Sequence, residues 1–312
     1  MSLLAIKNLK VTFHTNAGQV RAVDGVTLEL KDAETLALVG ETGCGKSTIA
    51  HSVLNLLPDS ADVRGDIVYQ EKNLLQMPEK ALARLRGKDI SLVMQNPSLA
   101  LNPVYTIGHQ MTEPLIVHKG LGRQAASLKA EGLLEKLRFR GPSNAMRAYP
   151  FEMSGGMKQR VLIGISVVLS PKVILADEPT KGLDDRLRKM VLEELSLVRE
   201  MYRSSMIFIS HDLNAARTIS DRIAVMYAGE ILESGATQKF FQEPLHPYSL
   251  ALLGSLPERG FKPIPGFSPS VIQPPEGCKF HPRCPYKKDQ CFTISPGFKK
   301  INNREVKCVL YN

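Results

Sequence analysis

The chain has 312 residues, 43% of them hydrophobic and 23% charged, with a formal net charge of +9. That length buries a sizeable core in one large domain or two smaller ones, and the composition is that of a soluble globular protein. It excludes a membrane-spanning helix, which needs ~18 or more apolar residues in a row, because the longest apolar stretch, Val161 to Leu169, is already broken by Gly164 and Ser166. The opening MSLLAIKNLKVTF lacks the basic segment, apolar block and cleavage site of a secretory signal, so the chain is expected in the cytosol. Its positive charge concentrates anionic partners in general and selects none.

The first strands are expected around a hairpin at Asn16-Ala17-Gly18. Leu36 to Val39 is a short apolar run suited to a buried parallel strand. It leads into Gly40-Glu41-Thr42-Gly43-Cys44-Gly45-Lys46-Ser47, which fits G-x-x-x-x-G-K-[ST], and then into helical spacing at Ile49, Val53, Leu54 and Leu57. A strand before and a helix after are the context that gives this motif its meaning. Glycines let backbone N–H groups wrap a phosphate chain, and the helix N-terminus adds partial positive charge. Lys46 is then placed for the β- and γ-phosphates of ATP, and the Ser47 hydroxyl for Mg²⁺. Cys44 sits at a variable position that needs only a small side chain.

Further along, SLVMQNP ends a strand at Gln95, whose amide is suited to join Mg²⁺ and report bound ATP. Helical patterning is densest from Asn96 to Leu169. Within MSGGMKQR, the hydroxyl of Ser154 and the bare N–H groups of Gly155 and Gly156 precede a helix, a second arrangement suited to a phosphate. Val173 to Ala176 forms another buried run that ends in Asp177, placed for Mg²⁺ through water, and Glu178, placed to orient or deprotonate the attacking water. Met206 to Ile209 is a last apolar strand, and His211 follows at its carboxyl end, where ligands bind in open α/β sheets.

With the loop, Gln95, the SGG segment, Asp177-Glu178 and His211 in this order, the sequence resembles an ABC-type ATPase over residues 3 to 240. The resemblance implies an α/β P-loop NTPase with an antiparallel β subdomain and an α-helical subdomain over residues 96–170 that docks transmembrane subunits. It implies ATP contacts from Gly40, Glu41, Thr42, Gly43, Cys44, Gly45, Lys46, Ser47 and Thr48, with Gln95, Asp184, and Phe13 as the aromatic near adenine. Catalysis falls to Glu178 and His211, and Mg²⁺ to Ser47, Gln95 and Asp177. Ser154, Gly155 and Gly156 are implied to serve the ATP site of an opposite subunit, so that a head-to-tail dimer hydrolyses ATP. Two positions depart from the family pattern. Met157 stands where Gln is commonest, and Lys181-Gly182 stand where small residues are usual.

After Gly229 the composition shifts, and residues 241 to 277 are proline-rich with little periodicity, which reads as an extended segment. His246-Pro247-Tyr248 and PPEGCKFHPRCP resemble the C-terminal extension of ATPases that serve oligopeptide, dipeptide and nickel-type importers. This divides the chain into a cassette, 1–240, and a Cys-containing extension, 241–312. The implied role is the ATP-hydrolysing subunit of a peptide importer, with nickel or another small solute as the alternative cargo. Its implied partners are a second ATPase subunit, identical or paralogous, two permease subunits and an extracytoplasmic solute-binding protein. It would sit peripherally on the cytoplasmic face of the membrane, with no nucleic acid. A soluble ABC ATPase in nucleic-acid or translation work is the rival reading, although such proteins usually carry two cassettes and this chain has one.

Four of the five cysteines, Cys278, Cys284, Cys291 and Cys308, fall in the extension. In a reducing compartment clustered cysteines more often bind metal than form disulfides. Their intervals of five, six and sixteen residues lack the close C-x₂₋₄-C pairs of common zinc sites, though spacing alone leaves zinc open. Four thiolates suffice for a [4Fe–4S] cluster, and the importer-type tail implies one. Eight Lys or Arg against two Asp or Glu from Gly277 onward would offset its charge. A structural [4Fe–4S] cluster is therefore expected, with zinc as the alternative.

Overall fold

The computed structural model describes residues 2–311. Residues up to Gln76 and those from Ile209 onward form one compact unit, and Met77–Phe208 form a second. The first unit begins with β1 (Ser2–Thr15) and β2 (Gly18–Lys31), an antiparallel hairpin whose Thr15–Gly18 pair closes the expected turn. Next comes β3 (Thr35–Val39), buried at all five positions, as an apolar run without alternation requires. Helix α1 (Lys46–Val53) and strands β4 (Ala61–Tyr69) and β5 (Lys72–Asn73) follow, and β2-β1-β4-β5 form an antiparallel sheet.

The second unit contains α2 (Glu79–Leu85), β6 (Ile90–Val93), α3 (Pro97–Ala100), α4 (Ile107–Lys119), α5 (Arg123–Lys136), α6 (Pro142–Arg147), α7 (Gly155–Val167), β7 (Val173–Asp177) and α8 (Asp185–Tyr202). Strands β6 and β7 pair in parallel from Ile90–Val173 to Val93–Ala176. A parallel pair needs a long crossover, and here the crossover is the run of helices α3 to α7. They pack closely: a Cβ at Gly164 of α7 would lie 3.2 Å from the Met111 Cε and 3.4 Å from the Leu137 Cδ1. Arg160, also on α7, pairs with Glu194 of α8, donates to the Leu137 carbonyl, and lies 4.8 Å from the centre of the Phe139 ring. Burial pushes the Glu194 carboxyl up despite that guanidinium.

Strand β8 (Ser205–Ser210) leads back to the first unit, which continues with α9 (Leu213–Ile219), β9 (Arg222–Tyr227), β10 (Glu230–Ala236), α10 (Thr237–Gln242), α11 (Pro247–Gly254), β11 (Lys299–Ile301) and β12 (Arg304–Val306). There β3 and β9 run parallel, β10 returns antiparallel to β9, and β12 pairs with β10 so that the end of the tail extends the sheet. One expectation is corrected here. The proline-rich stretch contains a helix, because Pro247 occupies the first helical turn, where its missing N–H costs nothing. His246 caps that helix, its Nδ1 accepting from the Tyr248 N–H at 2.9 Å. Burial pushes the His246 imidazole down to about 3, which keeps it neutral and able to accept.

Candidate phosphate-binding site

The loop between β3 and α1 has a backbone that only glycine can adopt at two points. Gly40 would place a Cβ 2.1 Å from the Met226 carbonyl oxygen, and Gly45, at φ 106°, would place one 2.1 Å from that of Ala22. These close approaches seat the loop against β9 and β2. The Lys46 side chain is buried, its Nζ donating to the Gly40 and Glu41 carbonyls at 2.8 and 2.9 Å. No side chain caps α1 and no acid stands in its first turn. The N-terminus of α1, with the positive end of its helix dipole, lies beside the ammonium. Ser47 and Thr48 are half-buried at the start of this helix, whereas Thr42 and Gly43 are exposed. Burial pushes the Cys44 thiol up against the pull of Lys46, so it remains neutral. The loop thus presents positive charge and N–H donors, a donor set that fits a phosphate chain. Phe13 is half-buried near the end of β1, in register with Val20 and Ala61. His211 is exposed in the same unit, between Ser210, whose Oγ accepts from the Asp212 N–H at 2.9 Å, and Asp212, which caps α9.

In the second unit β7 ends at Asp177, buried, and the chain turns at Glu178 with φ 45°. The turn is closed by the Lys181 N–H donating to the Glu178 carbonyl at 3.1 Å. Glu178 Oε2 lies 3.5 Å from Gln95 Nε2 and 3.4 Å from Lys181 Nζ, so the side chains of Gln95 and Glu178 meet. The Lys181 contact went unread in the sequence, where the residue stood out only as a departure from pattern. Ser154 caps α7, its Oγ accepting from the Met157 N–H at 3.3 Å, and Asp184 caps α8 by accepting from the Leu187 N–H at 2.9 Å. At Gly156 a Cβ would lie 2.9 Å from a Leu187 methyl, so that side chain would have to shift. At Gly155 a Cβ would meet nothing within 4 Å. Helices α4 to α6 border a groove of about 720 Å³ lined by residues that include His109, Glu113, Val117, Arg123 and Arg147. Leu99, Val104 and Phe151 of this unit are 83%, 70% and 70% exposed.

The cysteines of the extension do not bear out the expected [4Fe–4S] cluster or its zinc alternative. Among the described residues no group of three or more His, Cys, Asp or Glu is arranged to hold a metal ion, so Cys278, Cys284, Cys291 and Cys308 are no ligand set. Burial pushes the Cys278 thiol up to about 11 and raises those of Cys284 and Cys308, with neighbouring cysteines adding to each. Burial thus keeps those three groups protonated at neutral pH. All five cysteines are free. The segment between Cys278 and Cys284 instead carries three buried anchors. Lys279 Nζ reaches Asp24 at 2.9 Å, the Ala228 carbonyl at 3.0 Å and Glu230 at 3.3 Å. Phe280 packs against Tyr227, Tyr248 and His246. Arg283 pairs with Glu41 of the loop at 2.9 Å.

Among solved structures, the ATP-binding cassette MJ0796, a dimer in a post-hydrolysis state bound to ADP and Pi, aligns with a TM-score of 0.67 at 24% identity, over 75% of this chain and 98% of that one. The fold is therefore that of an ATP-binding cassette, α/β with an antiparallel sheet. The family model for the ABC transporter matches residues 23–181, and that for the oligopeptide/dipeptide transporter C-terminal region matches residues 232–291. The chain is 39% identical over 302 residues to the dipeptide transport ATP-binding protein DppD of Bacillus subtilis, covering 95% of this chain and 90% of the relative. It is 38% identical to the oligopeptide transport ATP-binding protein AppD of the same organism, over 99% of this chain and 97% of that one. To the oligopeptide transport ATP-binding protein OppD of Escherichia coli it is 36% identical, over 95% and 89%. The chain belongs to the ABC transporter family of ATP-binding proteins, in its oligopeptide/dipeptide branch. No helix among the described residues is long and apolar enough to cross a membrane.

Proposed function

We infer that this chain is the ATP-hydrolysing subunit of an importer for di- or oligopeptides. The observation that carries the reading is the glycine loop seated against β9 and β2, with a buried Lys46 ammonium beside the start of α1, which no side chain caps. Lys46 exchanges its two carbonyl partners for β- and γ-phosphate oxygens, and N–H groups of the loop hold the rest of the phosphate chain. A bound Mg²⁺ would be held by Ser47, Gln95 and Asp177 with the phosphates, and would offset negative charge on their oxygens. Glu178 accepts the proton of the attacking water or orients it, while Gln95 and Lys181 hold its carboxylate in place. His211 donates to the γ-phosphate, Phe13 stacks on adenine, and Asp184 closes the site from the loop after Glu178.

Ser154, Gly155 and Gly156 serve the phosphates of a second ATPase subunit, identical or paralogous. Gly155 supports this, since glycine weakens the start of a helix where nothing in the chain itself demands it. Residues 1–240 form the cassette and 241–312 its extension. Within the helical part, residues 96–170, the exposed Leu99, Val104 and Phe151 support docking of permease subunits at the cytoplasmic face of the membrane. An extracytoplasmic solute-binding protein delivers the peptide. The test compares two variants of the assembled transporter. Glu178→Gln binds ATP and stops turning over, while Lys46→Ala loses ATP binding. Wild-type hydrolysis by Glu178→Gln would refute the assignment of the catalytic acid.

A further inference from the structure

We propose that Tyr248 and Arg283 of the extension are positioning residues for the phosphate loop, acting through Glu41. Glu41 is the second residue of the motif, at a position the motif leaves open. Its carboxylate is held by Arg283 at 2.9 Å and by the Ser268 hydroxyl. Its N–H donates to the Tyr248 hydroxyl at 3.1 Å, and its carbonyl accepts from Lys46 Nζ at 2.9 Å. One residue therefore joins the tail to the phosphate-binding lysine through its backbone and its side chain together.

Both anchors are buried and held by further contacts of their own. Arg283 is buried, its Nε donating to the Pro265 carbonyl at 2.9 Å and a terminal nitrogen to the Tyr227 hydroxyl at 3.3 Å. Tyr248 is fully buried, with its ring 4.6 Å from that of Tyr227 and 5.3 Å from that of Phe280. Burial pushes the Tyr248 hydroxyl up, so it stays protonated and polar at every physiological pH. Such a frame holds the loop near the geometry that accepts phosphate, and the apparent affinity of a ligand falls in proportion to the fraction of molecules in that geometry. The tail is then a working part of the nucleotide site.

This proposal rests on the reading of the loop as an ATP site, and the experiment separates the two. Binding of Mg-ATP is measured by equilibrium dialysis on the full-length chain. Tyr248→Phe keeps the ring packing and removes only the hydroxyl, so its melting temperature stays within about 2 °C of wild type while its affinity for ATP falls severalfold. Arg283→Ala and Glu41→Ala each weaken binding by about tenfold, as when the competent loop drops to about a tenth of the population. Arg283→Lys restores part of the loss, and the Glu41→Ala/Arg283→Ala double variant is no weaker than either single one. Lys299→Ala, which removes an exposed cation of the same tail, leaves binding unchanged. Wild-type affinity in both Tyr248→Phe and Glu41→Ala would overturn the proposal, as would additive losses in the double variant. Unimpaired binding by Lys46→Ala would overturn the loop reading itself and the proposal with it.

Discussion

Replacing Lys279 with Met removes one buried charge and keeps most of its volume. The ammonium serves Asp24, the Ala228 carbonyl and Glu230 at 2.9, 3.0 and 3.3 Å. Removing one member of a buried ion pair costs about 3–5 kcal/mol, because the partner charge is left uncompensated. The lower end applies here. The Asp24 side chain keeps 27% of its exposure, and Glu230 retains Lys307 at 2.8 Å. For a chain of this size about 3 kcal/mol corresponds to a fall of about 5 °C in melting temperature. Scanning calorimetry at neutral pH reads that shift directly. The pH dependence gives a second check. Burial works to raise the Asp24 carboxyl, but the hydrogen bond and charge of Lys279, with Lys10 and Arg21 behind it, hold it below its ordinary 3.8. A depressed carboxyl stabilises the fold above its unfolded value and ceases to do so as pH falls through its folded one. The gap between wild type and variant is therefore full at about pH 5 and above, and closes only below 3.8. A shift under about 2 °C at neutral pH would refute the account of Lys279 as a buried anchor.

Arg160→Leu strands Glu194 in the second unit and costs about 3 kcal/mol at neutral pH. Because burial raises the Glu194 carboxyl, the variant should regain stability as pH falls below neutrality toward the ordinary 4.5, which thermal melts would show. Gly40→Ala drives a methyl to within 2.1 Å of the Met226 carbonyl oxygen, so the loop must shift and Mg-ATP binding by dialysis should be lost. Ser154→Arg removes the cap of α7 and fills the approach to Gly155. In a mixed dimer with one such subunit, the loss should fall on the ATP site of the other, and two sites of wild-type activity would refute the shared arrangement.

Strands β3, β7 and β8 could be read from sequence because a strand covered on both faces is a plain apolar run. The phosphate loop was legible for a related reason, since Gly40 and Gly45 answer local steric demands. Helix α11 was hidden because Pro247 reads as a breaker unless it is known to stand in a first turn. The cysteine intervals showed that thiols gather, but spacing carries no information on whether they converge on one point or line a buried seam. Glu41 was opaque altogether. Its partners Tyr248 and Arg283 lie 207 and 242 residues away, beyond any periodicity. Lys181 was visible as an oddity, and only the turn at Glu178 gave the ammonium something to touch.

That turn has a consequence for how the chain tolerates mutation. Glu178 holds φ 45°, a left-handed conformation that costs an ordinary L-residue about 1–2 kcal/mol and glycine almost nothing. A sequence optimised for folding alone would put Gly or Asn there. On the proposed role of Glu178 as the catalytic acid, substitutions that extinguish turnover here can yield a sturdier protein, one that accumulates normally in the cell. Inactivating changes at Glu178 would escape the quality control that removes unfolded chains, and would persist as well-folded subunits able to occupy assemblies they cannot drive.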